Sequence, residues 1–211
     1  MKKAVLFDID GVLIDSWDFV FVAVKHALKK PGHTISEEVI VSAMGGRALL
    51  DFYKFLLPKE DYKLIAKSHQ KYQQDKFDLG KPFPNAKKIL KKLKSQGFLM
   101  AAISNRTKIS LKTTLDRAEF SPFFDIVLSA EDVLNPKPHP EHVLAALTYL
   151  KVKPANSFMI GDTKDDILAG KSAKVKTIGV TYGFAGKTIT DHNPDFVIDD
   201  LEELIKVLRY T

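Results

Sequence analysis

The chain has 211 residues, 45% of them hydrophobic, which is enough to bury a core and, on length, to form one domain with a substantial insertion. It has no cysteine, which excludes disulfides and thiolate chemistry. No stretch approaches the roughly 18 apolar residues that span a bilayer, and Met1-Lys2-Lys3 runs straight into an apolar segment rather than a cleavable leader. The expectation is a soluble, cytoplasmic protein, a monomer or weak dimer with no membrane partner.

A net charge of +6 raises the question of a nucleic-acid partner. In 84–97, however, Ala86, Ile89, Leu90 and Leu93 keep helical spacing, and Lys87, Lys88, Lys91, Lys92 and Lys94 fill the other positions. That describes a solvated helix face, so no nucleic acid is expected. The positive field suits a small anionic substrate.

The first element in chain order is Ala4-Val5-Leu6-Phe7, apolar without interruption, as in a strand covered on both faces of a parallel sheet. It ends in Asp8 and Asp10. Side chains two apart on an extended chain point the same way, so these carboxylates converge, and each disfavours the other's ionisation. Either a divalent cation with a taste for hard oxygen ligands, such as Mg²⁺, neutralises them, or they cap the following turn. Gly11 permits the turn.

From residue 17 the apolar spacing becomes helical. It predicts a helix over 17–30, broken by Pro31-Gly32, a second opened by Ser36 as N-cap with Glu37 and Glu38 in its first turn, and further helices over 47–57 and 59–74. No strand is predicted between this point and residue 98. The block is too long for a connection, so 17–81 reads as a helical domain inserted into a core made of 1–16 and 82–211.

Strands and helices then alternate. Strands are predicted at 98–103, 125–128, 157–160, 177–180 and 195–198, with helices at 85–95, 108–118, 140–150, 165–173 and 201–208. The fold class is α/β, a Rossmann-like doubly wound parallel sheet with helices on both faces.

Sites in such sheets lie beyond the C-terminal ends of strands, where the strand order reverses. Three polar strand ends qualify: Asp8 with Asp10, Ser104-Asn105-Arg106-Thr107, and Gly161-Asp162-Thr163-Lys164-Asp165-Asp166. Ser104 and Asn105, with the backbone after them, are either phosphate donors or a helix cap. Lys137 lies between Pro136 and Pro138 and is either a surface lysine or, presented rigidly by the prolines, an ammonium that neutralises phosphate and a neighbouring carboxylate; His139 beside them reads as structural. Asp162 stands directly at a strand end and is the better metal ligand, whereas Asp165 reads as a first-turn acid.

Asp8-Ile9-Asp10-Gly11-Val12-Leu13-Ile14-Asp15-Ser16 resembles, position by position, the first motif of the haloacid dehalogenase-like (HAD) hydrolase superfamily, in its phosphatase and phosphomutase branch. Ser104-Asn105 resembles the second motif, Lys137-Pro138 the third and Gly161-Asp162-Thr163-x-x-Asp166 the fourth, in the right order. The resemblance implies that Asp8 is a nucleophile forming an aspartyl-phosphate and that Asp10 is the acid and base. It implies Mg²⁺ on Asp8, the Asp10 carbonyl and Asp162, with Asp166 as ligand or support, and a phosphoryl group bound by Ser104, Asn105 and Lys137.

The inserted block resembles the C1-type helical cap of the phosphoglycolate phosphatase and β-phosphoglucomutase branch. Within it, Arg47 of Met44-Gly45-Gly46-Arg47 is a candidate for a second anionic group of the substrate, or else a surface arginine. The resemblance implies a phosphatase of a small phosphorylated metabolite, phosphoglycolate-like as a first guess. A phosphomutase shares every core residue, and a non-catalytic phospho-acceptor module is the reading from a different class. Dehalogenation is disfavoured, because that branch lacks a carboxylate at the position of Asp10.

Overall fold

The computed structural model describes residues 2–29, 35–58, 61–76 and 80–209. β1 (Ala4–Phe7) is buried along its whole length and pairs in parallel with β4 (Leu99–Ile103) on one side and β6 (Ser157–Gly161) on the other. With β5 (Ile126–Leu128), β7 (Lys176–Val180) and β8 (Phe196–Ile198) they form a six-stranded parallel sheet of order β5-β4-β1-β6-β7-β8. The chain lays down β4 and β5 on one side of β1 and then crosses to β6 on the other. The C-terminal ends of β1, β4 and β6 therefore lie side by side at the reversal, where a doubly wound sheet leaves a crevice.

Both faces of β1 are covered, which is why its sequence shows no polar alternation. Val5 and Phe7 pack with Leu90 and Leu93 of α5 (Ala86–Ser95), Leu111 and Leu115 of α6 (Lys108–Arg117) and Leu204 of α9 (Leu204–Arg209). Ala4 and Leu6 point the other way, onto Val143 and Leu147 of α7 (Glu141–Leu150) and Ala169 of α8 (Lys164–Ser172). Burial of each large apolar side chain contributes about 1.5–3 kcal/mol, so a polar residue in β1 would be costly on either face. On the surface of α5, Lys87, Lys88 and Lys94 pair with Glu119, Glu202 and Asp125, as a solvated face would.

The block after β1 contains α1 (Trp17–Leu28), α2 (Glu37–Ala43), α3 (Leu49–Leu56) and α4 (Tyr62–Asp75). Ser36 caps α2 by accepting from the Val39 N–H, as its sequence signature predicts. Val24, Ile40, Phe52, Tyr53 and Ile65 form an apolar cluster that shares no residue with the two clusters against the sheet. On this ground we propose that 17–81 is a separate inserted domain.

Several boundaries differ from those predicted. The helix expected over 47–57 begins at Leu49, because Gly45 and Gly46 adopt φ of 96° and 83° and lead in as a loop. The helix expected over 59–74 runs Tyr62–Asp75. Lys30, the Pro31-Gly32 break and residues 59 and 60 lie outside the described residues. The last predicted helix opens as a 3-10 turn, Leu201–Glu203.

The expectation of no strand between residue 17 and residue 98 is corrected. β2 (Ile14–Asp15) pairs antiparallel with β3 (Lys81–Pro82), joining the chain where it leaves the core to the chain where it returns. Two residues are too few to show alternation, and proline is tolerated on such an edge because its missing N–H has no ladder to serve. No helix of the described residues is long and apolar enough to cross a membrane.

Candidate active site

Asp8 follows β1, Ser104 follows β4, and Asp162 follows β6, so the sheet places all three on one edge. Asp8, Asp162 and Asp166 are buried, each with a potential ligand atom within 4.8 Å of the others'. Lys137 reaches the same point. Its Nζ lies 2.9 Å from Asp8 Oδ1 and 2.7 Å from Asp166 Oδ1, and it donates to the Ile103 carbonyl at 3.2 Å.

The glycines around these acids are matters of space. Gly11 has φ 71°, and a Cβ there would lie 2.0 Å from Asp162 Oδ2. A Cβ on Gly161 would lie 2.0 Å from that of Asp166. Only glycine lets the backbone pass this close to the buried carboxylates.

One ammonium does not balance three carboxylates. Burial, only partly offset by Lys137, together with Asp166 and Asp10, pushes Asp8 up to about 7. Burial, then Asp166 and Asp8, pushes Asp162 well above the usual carboxylate range. Burial opposes the charge on Lys137 too, but Asp166 and Asp8 overcome it and hold the lysine protonated.

Asp162 Oδ2 accepts from the Phe184 N–H at 2.6 Å, while its buried Oδ1 has no hydrogen-bond partner. A buried, under-neutralised oxygen set with an unsatisfied member is the chemistry of a hard divalent-cation site, and these residues fit one. Asp166 is more committed. Its Oδ1 faces Lys137, and its Oδ2 accepts from the Thr163 N–H at 3.0 Å and the Thr163 hydroxyl at 2.7 Å.

The structure brings the other expected residues to the same edge in more specific positions. Ser104 is buried, and its hydroxyl accepts from the Arg106 N–H at 3.2 Å. The side chain of Asn105 is spent on backbone: it donates to the carbonyls of Gly46 at 2.5 Å and Lys137 at 2.8 Å, and accepts from the Lys137 N–H at 3.1 Å. It brackets the lysine loop and ties the helical block to the core.

Asp10 was expected beside Asp8 and lines the same cavity, but its carboxylate belongs to a different network. Arg106 grips it with Nε on Oδ2 and Nη2 on Oδ1, both at 2.6 Å, and the Ser16 hydroxyl donates to Oδ1 at 2.5 Å. Burial pushes Asp10 up, yet the charge and hydrogen bonds of Arg106, with Ser16, outweigh it and hold the group below its ordinary value. Arg106 was not singled out from the sequence.

A cavity of about 130 Å³ lies over these groups. Its far wall comes from the helical block, including Val20, Val24, Leu49, Phe52 and Gln70, and Arg47 stands at it. Arg47 is exposed, donates from Nη1 to the Ala43 carbonyl at 2.8 Å and lies 4.6 Å from the centre of the Phe55 ring. His69, also on the wall, is buried against the Tyr53 hydroxyl at 2.9 Å; burial and the charge of Arg106 push it down to about 3.

Residues 5–180, spanning the strand-end acids, the lysine and the helical block, match the sequence profile of haloacid dehalogenase-like hydrolases. The chain belongs to that family. Membership as a hydrolase, with the acids assembled, sets aside the reading as a non-catalytic phospho-acceptor module.

Within the HAD-like family, the chain is similar to a phosphoglycolate phosphatase of Aquifex aeolicus, 33% identical over 98% of this chain and 96% of that protein. It is also similar to the pyrophosphatase PpaX of Bacillus cereus, 29% identical over 98% and 96%. Among HAD-like structures, that of a predicted phosphoglycolate phosphatase from Haemophilus somnus superposes with a TM-score of 0.86, covering 98% of this chain and 97% of the other at 23% identity. That likeness carries the fold.

Proposed function

We propose that this HAD-like hydrolase is a Mg²⁺-dependent phosphatase that cleaves a small phosphorylated metabolite through an aspartyl-phosphate on Asp8. The observation that carries the reading is the placement of Asp8, a buried carboxylate on the cavity wall with one oxygen fixed by Lys137. Asp8, Asp162 and the Asp10 carbonyl would hold Mg²⁺, with Asp166 fixing Lys137 beside them. When bound, Mg²⁺ supplies the positive charge that lets an anionic carboxylate approach an anionic phosphoryl group.

Asp8 attacks phosphorus, and Asp10, which Arg106 holds as a carboxylate, takes the proton that a monoprotonated phosphoryl group brings and passes it to the leaving oxygen. Asp10, again a carboxylate, takes a proton from water as that water attacks the phosphoryl group and returns it to the departing phosphate, which restores both Asp8 and Asp10. Lys137, Ser104 and the backbone at Asn105 offset the charge of the oxygens that move in line. The helical block over the cavity excludes bulk water during these steps.

Phosphate release from p-nitrophenyl phosphate and from a panel of phosphorylated metabolites, with and without Mg²⁺, tests the reading. Metal-dependent release supports it, and no release from any of them overturns it. Isomerisation of a sugar phosphate without release would make the chain a mutase.

Calcium gives a sharper check of Asp8. Ca²⁺ takes more ligands at longer distances and often binds a carboxylate through both oxygens, which would leave Asp8 none to aim at phosphorus. Replacing Mg²⁺ by Ca²⁺ is expected to inhibit turnover. Full activity in Ca²⁺ would mean that Asp8 is not both ligand and nucleophile.

The compounds in the relatives' names, phosphoglycolate and pyrophosphate, both carry a second anionic group. The core residues meet only the phosphoryl group, so the second anion falls to the helical wall, where Arg47 is the candidate. Arg47→Ala is expected to lower kcat/KM for the preferred anionic substrate by about ten- to a hundredfold, the scale of one charge-assisted hydrogen bond. Activity on p-nitrophenyl phosphate should change much less. Equal losses on both would place the effect in folding or closure of the helical block instead.

A further inference from the structure

If the phosphatase reading holds, both proton transfers pass through Asp10, and the direction of that carboxylate matters as much as its presence. Arg106 is built to set that direction. Two of its nitrogens grip Asp10 in a fork, each at 2.6 Å, while Nη1 donates to the hydroxyls of Thr114 at 2.7 Å and Ser110 at 3.2 Å on α6. The guanidinium also lies 5.2 Å from the centre of the Phe19 ring of α1. Its own N–H bonds the Ser104 hydroxyl, and its carbonyl accepts from the Ala130 N–H at 3.0 Å.

All three guanidinium nitrogens are thus engaged within the protein, although the residue lines the cavity. An arginine meant for a substrate anion would keep its fork open toward the ligand. This one spends its fork on Asp10 and anchors its remaining nitrogen to a rigid helix. Ser16 fixes Oδ1 of the same carboxylate from the point where the chain leaves the core for α1.

We propose that Arg106 is the positioning residue of the acid and base, with Ser16 as its partner: the Arg106 fork and the Ser16 hydroxyl hold Asp10 aimed at the phosphoryl site through both proton transfers. This role rests on the phosphatase reading and goes beyond it, since that reading needs only Asp10. A purely structural staple between α6 and the loop after β1 is the competing account, and the two differ in what Asp10 contributes.

A double-mutant cycle separates them. Arg106→Gln is expected to lower kcat by about ten- to a hundredfold, and in an Asp10→Ala background the same change should cost less than about threefold, because the group it acts through is gone. Arg106→Lys should recover only part of the loss, keeping the charge without the planar fork. The loss in kcat/KM should be larger for an alkyl phosphate than for p-nitrophenyl phosphate, whose leaving group departs without a proton.

Losses that multiply across the Asp10→Ala background would overturn the assignment, as would equal losses for the two leaving groups or an Arg106→Gln enzyme within twofold of the parent. Should Arg106→Gln fail to fold, the same cycle run with Arg106→Lys decides the matter. Phosphate release by the parent protein is measured first. Its absence would remove the phosphatase reading itself, whereas release with multiplying losses removes only the role of Arg106.

Discussion

Asp8→Asn is expected to lower phosphate release by at least about a thousandfold while making the metal-free protein more stable at pH 8. The loss of activity follows from removing the proposed nucleophile and the charge of one proposed metal ligand without changing side-chain volume. The gain in stability follows from the direction in which Asp8 is shifted, from its ordinary 3.8 up to about 7. A carboxyl that binds its proton more tightly folded than unfolded weakens the fold as pH rises through that interval, by on the order of a few kcal/mol once both states are ionised. The neutral amide carries no such cost, and its oxygen can still accept from Lys137. Without metal, the variant should therefore melt above the parent at pH 8 and close to it at pH 4, and Mg²⁺ should raise the parent more than the variant. Near-normal turnover would sink the mechanism, and a stability difference that does not change with pH would sink the account of the buried charge.

The placement of the acids was legible because it depends on short-range pattern. Four apolar residues before Asp8 predict a strand covered on both faces, and the sheet indeed splits β1 into Val5 and Phe7 on one side and Ala4 and Leu6 on the other. Once the strands run parallel, the end of each strand has to meet the others at one edge, so Asp8, Ser104 and Asp162 come together. Lys137 could be anticipated because rigid flanking prolines are an unusual way to present a surface lysine; the structure buries it against Asp8 and Asp166.

What the sequence hid is whatever depends on partners far apart in the chain. Arg106 stood in view, directly after Ser104-Asn105, but its bond to Asp10 spans 96 positions and leaves no local periodicity. The signal was the position itself, an arginine on the edge already marked as the site. Asn105 illustrates the converse: its residue type fits a phosphate donor, yet its side chain is consumed by the backbone of Lys137 and Gly46. The β2–β3 ribbon escaped because a pair of two-residue strands has no pattern to detect, although it marks where the helical block begins and ends.

Lys137→Ala is expected to abolish measurable turnover and to destabilise the metal-free protein by about 3–5 kcal/mol, the scale of removing one partner from a buried ion pair. The lysine is paired with Asp8 and Asp166, and Asp162 lies in the same buried acid cluster, so loss of the lysine leaves buried carboxylates facing one another. Its own shift is upward, so its contribution is fully present at every pH below the ordinary lysine range and does not itself vary between pH 5 and pH 8. Any pH dependence of the deficit in that interval belongs to the carboxylates. Lys137 lowers the Asp8 value, so without it Asp8 shifts further up, and the cost of ionising the cluster grows as pH rises. Denaturant unfolding should accordingly show a larger deficit at pH 8 than at pH 5, and added Mg²⁺ should restore part of the stability, because a divalent cation can neutralise the same acids, without restoring turnover, because the phosphoryl oxygens still lack their ammonium. A deficit equal at both pH values would show that the loss comes from the cavity left by the side chain. Turnover that returns with Mg²⁺ would show that the lysine serves the cluster's charge and not the phosphoryl group.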